Sequence, residues 1–180
     1  RRLGSAVHAK TLPPEDRWGI ESDLCARVFA DAFSPEAYID FLENYANETA
    51  FLPLMSISAN LRNLYFLSGE FFQEKIKRIG IRLAETLLSE IGYDVHPDDA
   101  HTFGALRDQF IWLGVMLGSR RVTEFAKTRI ETLLRNEPVH PDIAKSVLQS
   151  AAFNGDDAVF DWLIRRFETA DSEHDRTNIL

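Results

Sequence analysis

The sequence predicts an all-α protein made of antiparallel helix pairs stacked as a HEAT-like α-solenoid. Three observations predict it. Apolar residues recur at helical spacing in nearly every segment. The breaks between segments carry helix start and stop residues. No run of strict apolar–polar alternation asks for a strand.

The first helix is expected over about 14–31, after an opening stretch, RRLGSAVHAK, that reads as part of an amphipathic segment. The next, 35–47, starts on Ser34 as N-cap, Pro35 at the first helical position and Glu36 in the first turn. Tyr38, Phe41, Leu42 and Tyr45 form its apolar stripe. Pro53 marks the first turn of a helix over 52–67. The longest, 70–91, is carried by Phe72, Ile76, Ile79, Leu83, Leu87 and Ile91, with Gly92 as the stop. Phe103, Leu106, Phe110, Leu113 and Leu117 carry 101–117, with Gly118 as the stop and Ser119 capping 120–135. Pro141 opens 141–153, striped by Ile143, Val147 and Ala151. Val159, Phe160, Leu163 and Phe167 stripe 157–169, and a further helix starts near 172. From about residue 100 each helix pair takes roughly 40 residues, a HEAT-like length. No Pro/Gly/Ser-rich linker divides the chain, so residues 1–180 read as a single helical domain. Both ends look cut, which suggests a fragment of a longer chain.

Composition narrows the partners. The chain has 180 residues, is 45% hydrophobic and carries a net charge of -8. That charge repels phosphate, so neither nucleic acid nor an anionic membrane is an expected partner. No apolar run nears the roughly 18 residues that span a bilayer. The single cysteine, Cys25, excludes an intramolecular disulfide and a cysteine-rich zinc site, and fits a reducing, cytoplasmic setting.

Several clusters invite chemistry. Gly155-Asp156-Asp157 has the look of a divalent-metal carboxylate pair. It also fits between two helices, with Gly155 at the C′ position of the first, where a left-handed residue is wanted, Asp156 as N-cap of the next and Asp157 against the helix dipole; the latter reading accounts for every residue. His96, Asp98, Asp99 and His101 are zinc or manganese ligand types, but their spacing matches no zinc signature. They read as a polar loop in which Asp98 or Asp99 caps the following helix. Cys25, on a helix, reads as a buried structural thiol. Arg120 and Arg121 read as a solvated first-turn pair ahead of an anion site. Asn47 to Thr49 is a glycosylation sequon, relevant only to a secreted protein. There is no His-Glu-x-x-His, Gly-x-Ser-x-Gly or phosphate-binding glycine loop.

Three stretches together resemble the C-terminal helical domain of zinc aminopeptidases of the aminopeptidase N type, the group of the endoplasmic-reticulum aminopeptidases and archaeal tricorn-interacting factors. LPPEDRWGIESDLCARVFADAFSPEAYIDFLENYANETAFLPLMSISANL is similar to its opening, at Asp16, Arg17, Asp23 and Glu48. LRDQFIWLGVMLGSRRVTEFAKTRIETLL resembles its Leu-Arg helix, glycine stop and following helix, at Leu106, Arg107, Gly118 and Ala126. VHPDIAKSVLQSAAFNGDDAVFDWLIRRFETADSEHDR resembles its Pro-Asp helix, glycine break, aromatic helix and charged loop, at Pro141, Asp142, Gly155, Trp162 and Glu173. The likeness runs from about residue 12 to 180.

The resemblance implies a helical domain that covers the active-site cleft, limits peptide access by length, and works with an upstream catalytic domain of the same chain. The zinc site and general base of the family lie in that upstream domain. No catalytic, cofactor-binding or metal residue is carried onto this chain, whose expected cofactor is none, with zinc in the parent enzyme. Alone, the chain is expected to be inactive. The alternative is a free-standing HEAT-like scaffold for a protein partner, since fold does not imply function. A self-contained metal hydrolase built on His96 is the weakest reading.

Overall fold

In the computed structural model, residues 2–170, 172–173 and 176–177 are described. They form α1 (Arg2–His8), α2 (Pro14–Phe29), α3 (Pro35–Leu42) with a 3-10 turn (Glu43–Tyr45), α4 (Phe51–Leu67), α5 (Glu70–Ile91), α6 (His101–Leu117), α7 (Arg120–Leu134), α8 (Pro141–Asn154) and α9 (Asp157–Thr169). Among the described residues there is no strand. Helices pack in pairs, the local arrangement of an α-solenoid. The chain, read from sequence as one domain, divides into two compact units, Arg1–Glu90 and Ile91–Leu180.

In the first unit, α2 packs on α3 and α4, and α1 on the 3-10 turn. Helix α1 is an addition to the sequence reading, which left that stretch outside its helices. Tyr38, Ile39, Leu42, Leu54, Ile57 and Leu61 are fully buried, and the α5 stripe of Ile76, Ile79, Leu83 and Leu87 is buried as its spacing requires. Ser34 caps α3 through Ala37 N at 3.3 Å.

In the second unit, α8 packs on α6, α7 and α9. Helix α6 is buried nearly all round: Leu106, Phe110, Ile111, Leu113 and Val115 lie inside. Gly118 ends it at φ 88°, a left-handed conformation that side chains resist. Ser119 caps α7 at 3.2 Å from Val122 N. Leu133, Val147, Leu148, Ala151 and Leu163 form a cluster on which Val159 and Trp162 pack.

Two expectations about α9 change. Phe160, placed in the inward stripe, is 60% exposed. Leu163 makes the buried contact, so the buried arc is narrower than the apolar one. Gly155 is extended (φ -73°, ψ 159°), not left-handed. Its glycine is set by space: a Cβ there would overlap the Ala151 carbonyl and come 2.7 Å from Val159 Cγ1. The helix expected near 172 falls partly outside the described residues; Glu173, Arg176 and Thr177 are helical. None of the described helices is long and apolar enough to cross a membrane.

Candidate functional site

Helix α2 presents Arg17, Glu21 and Cys25 at i, i+4 and i+8, so all three face one way, and all three are buried. The face they meet is polar where it must be. Arg17 forks onto Glu48, Nε to Oε2 at 2.6 Å and Nη2 to Oε1 at 2.9 Å, and its Nη1 donates to the Leu12 carbonyl at 2.5 Å. Glu48 Oε1 also accepts from the backbone N–H of Thr49 and Ala50, both at 2.9 Å. Ala50 is the N-cap of α4 and has no capping side chain of its own, so Glu48 supplies the acceptor there. Tyr45 donates to the Arg17 carbonyl at 2.6 Å. One carboxylate and one guanidinium thereby join α2, the 3-10 turn and the start of α4. Burial raises the Glu48 carboxyl, but the bonds from Arg17, Ala50 and Thr49 outweigh it, and the group is held below the usual range.

One turn on, Glu21 Oε1 accepts from the Tyr38 hydroxyl and from Asn60 Nδ2, the latter at 2.9 Å. Its Oε2 is buried and has no protein hydrogen-bond partner among the described residues. Burial pushes the Cys25 thiol up to about 11, against a hydrogen bond with Tyr38 and with repulsion from Glu21. A thiol held protonated this way is a poor nucleophile, in keeping with a structural cysteine.

The second unit repeats the device with Arg107, which is fully buried on α6. Its Nε donates to the Gly92 carbonyl at 3.0 Å, and its Nη2 donates to the Ile91 carbonyl at 2.9 Å and Asp99 Oδ2 at 2.8 Å. The guanidinium thus caps the C-terminal end of α5 with the positive charge that end favours. Asp99 also accepts from His96 N at 2.9 Å. That bond above all, then Arg107, holds its carboxyl low against a partial burial cost.

The HPDDAH cluster is therefore not a helix cap. Ala100, with no capping side chain, starts α6, and Asp99 closes its own loop instead. His96, Asp98 and His101 are exposed. Among the described residues no three His, Cys, Asp or Glu side chains are arranged to hold a metal ion. Asp156 does cap α9, accepting from Val159 N at 3.0 Å, with Asp157 in the first turn. Asp156→Ala is expected to cost about 1 kcal/mol in denaturant unfolding, with Asp156→Ser nearly neutral. A metal-dependent rise in melting temperature that Asp156→Ala abolishes would contradict the capping role.

The remaining positions fall as follows. Arg120 is exposed and pairs with Glu124 at 3.0 Å. The Arg121 guanidinium lies 5.5 Å from the Tyr93 ring centroid. Asp16 and Asp23 are exposed on α2. Leu106 and Ala126 are buried. Pro141 opens α8 behind His140, whose Nδ1 accepts from Asp142 N at 3.2 Å. Trp162 packs on the α7–α9 cluster under Arg166, and Glu173 pairs with Arg176 at 2.9 Å. Asn47 is exposed, its amide donating to the His8 carbonyl at 3.3 Å. The sequence reading missed Glu21, Tyr38 and Asn60 as a polar group. The i, i+4, i+8 run of Arg17, Glu21 and Cys25 on a helix facing apolar neighbours was the available signal.

Paired helices whose joints are locked by buried arginines define a helical-repeat domain. A family model described as the ERAP1-like C-terminal domain matches residues 1–180, the whole chain. The chain belongs to that family and is a domain of an aminopeptidase. Arg17, Glu48 and Arg107, three of the positions that carried the resemblance, are the same buried charges that hold the joints.

Proposed function

We propose that this domain covers the active-site cleft of a zinc-dependent aminopeptidase and sets which peptides, by length, reach it. The whole-length family match carries the reading. Its partner is the catalytic domain of the same chain, which holds the zinc. Its substrates are peptides, from which the parent enzyme removes N-terminal amino acids. The side chains described above do not fit a zinc ion, so no chemical step is assigned to them. The buried Cys25 thiol is in keeping with a reducing, cytoplasmic setting.

The physical support is stiffness. A wall that admits some substrates and excludes others must keep its shape, and short helix–helix joints pinned by buried ion pairs resist bending. Such a wall acts on access and on water exclusion, leaving bond cleavage to the metal centre elsewhere.

The chain alone is expected to leave aminoacyl-anilides intact, with or without added zinc. Deleting it from the parent enzyme should change the peptide-length profile far more than cleavage of the smallest substrates, provided the truncated enzyme is folded and zinc-loaded. A folded, zinc-loaded truncation that keeps the full length profile would make the domain a scaffold only.

A further inference from the structure

The recess bounded by the loop before α6, by α6 and by the start of α8 has a volume of about 490 Å3 and includes His96, Asp99, His101, Asp108, Asp142 and Lys145 in its wall. Asp99 is neutralised by Arg107. Asp108 and Asp142 have no lysine or arginine ion pair among the described residues; Asp142 has only the exposed His140, at 3.9 Å. Both lie at the contact of α6 with α8. Asp108 Oδ1, from α6, accepts from the Ser146 N–H of α8 at 2.8 Å. Asp142, from α8, lies so close to α6 that a Cβ on Gly104 would sit 2.5 Å from its Oδ2.

We infer that Asp108 and Asp142 form a proton-responsive clamp between α6 and α8: at neutral pH the half-buried charge of Asp108, on the same contact as Asp142, weakens the joint, and a proton taken from solvent by Asp108 strengthens it. Asp108 keeps one oxygen as acceptor for Ser146 while the other carries the proton, so the tie between the helices survives protonation. Burial, with a contribution from Asp142, raises the Asp108 carboxyl, while Ser146 and Lys145 act the other way; the net direction is upward. His96 and His101 share the recess wall with Asp108.

The sign follows from linkage. A carboxyl whose folded pKa lies above its unfolded value binds protons more readily in the folded state. Stability therefore rises as pH falls through the folded value, and the gain is complete below the unfolded one.

The test is a carbon-detected carboxyl titration of the full 180-residue chain by NMR, with denaturant unfolding between pH 7 and 4.5. The Asp108 midpoint should lie above the ordinary aspartate range, fall in Asp142→Asn and rise in Lys145→Gln. Wild type should gain stability relative to Asp108→Asn as pH falls. A midpoint in or below the ordinary range, one unmoved in both variants, or parallel unfolding profiles would overturn the clamp. Should Asp108→Asn fail to fold, the wild-type midpoint and its opposite movements in the other two variants decide alone.

Discussion

Glu48→Ala is expected to destabilise the first unit by about 3–5 kcal/mol, the cost of breaking a buried ion pair from one side. Several losses combine. Arg17, only 4% exposed, keeps its charge but loses two of its three hydrogen bonds. The backbone N–H groups of Thr49 and Ala50 lose their acceptor at the entry to α4. Because Glu48 titrates below its usual range, its contribution is present above the unfolded carboxyl pKa, near 4.3, and is lost as pH falls through the folded value. Arg17→Ala should cost a similar amount. The paired replacement Arg17→Met with Glu48→Leu should cost less than the sum of the two alanine changes, because no unpaired charge is left inside. Equilibrium unfolding in denaturant, run as a double-mutant cycle, measures all of these. Additive effects would show that the two side chains act separately.

The helices were legible because the signals that make them are local. Stripes at 3.6-residue period, Ser34, Ser119 and Asp156 as caps, and Gly92 and Gly118 as stops each act within a turn or two of the chain. What escaped depends on how turns meet. Gly155 looked like a left-handed stop because glycine after a helix commonly is one. Its actual need, room beside Ala151 and Val159, depends on α9 folding back. Phe160 looked like core because periodicity marks an apolar arc, whereas the width of the buried arc depends on the neighbours present. Asp99 looked like a helix cap because it stands just before α6. A buried arginine two turns into that helix claims it instead, a pairing that no local window contains. The resemblance marked Arg17, Glu48 and Arg107 as positions without saying what they do. Their partners became visible only when a hydrogen bond could be traced across 31 residues, from Arg17 to Glu48, or 16, from Arg107 to Ile91.

Arg107→Met is expected to cost about 3 kcal/mol or more, since hydrogen bonds to a charged group are worth about 1.5–3 kcal/mol each and this side chain makes three. Methionine fills much of the space but offers no donor, so the Ile91 and Gly92 carbonyls at the end of α5 lose their partner and the loop closed by Asp99 loses its anchor. Lysine should rescue little. Its ammonium is a single point of charge on a flexible stem, whereas the acceptors are spread around a rigid planar fork and bind two of its nitrogens. Asp99→Asn should be milder than Arg107→Met, because the guanidinium keeps both carbonyls. Among the described residues Arg107 Nη1 has no protein hydrogen-bond partner, so the hold of the fork rests on Nε and Nη2. Denaturant unfolding gives the magnitudes, and amide exchange of the 92–100 loop locates the effect. An Arg107→Met protein within about 1 kcal/mol of wild type would mean that solvent replaces the fork at the Ile91 and Gly92 carbonyls.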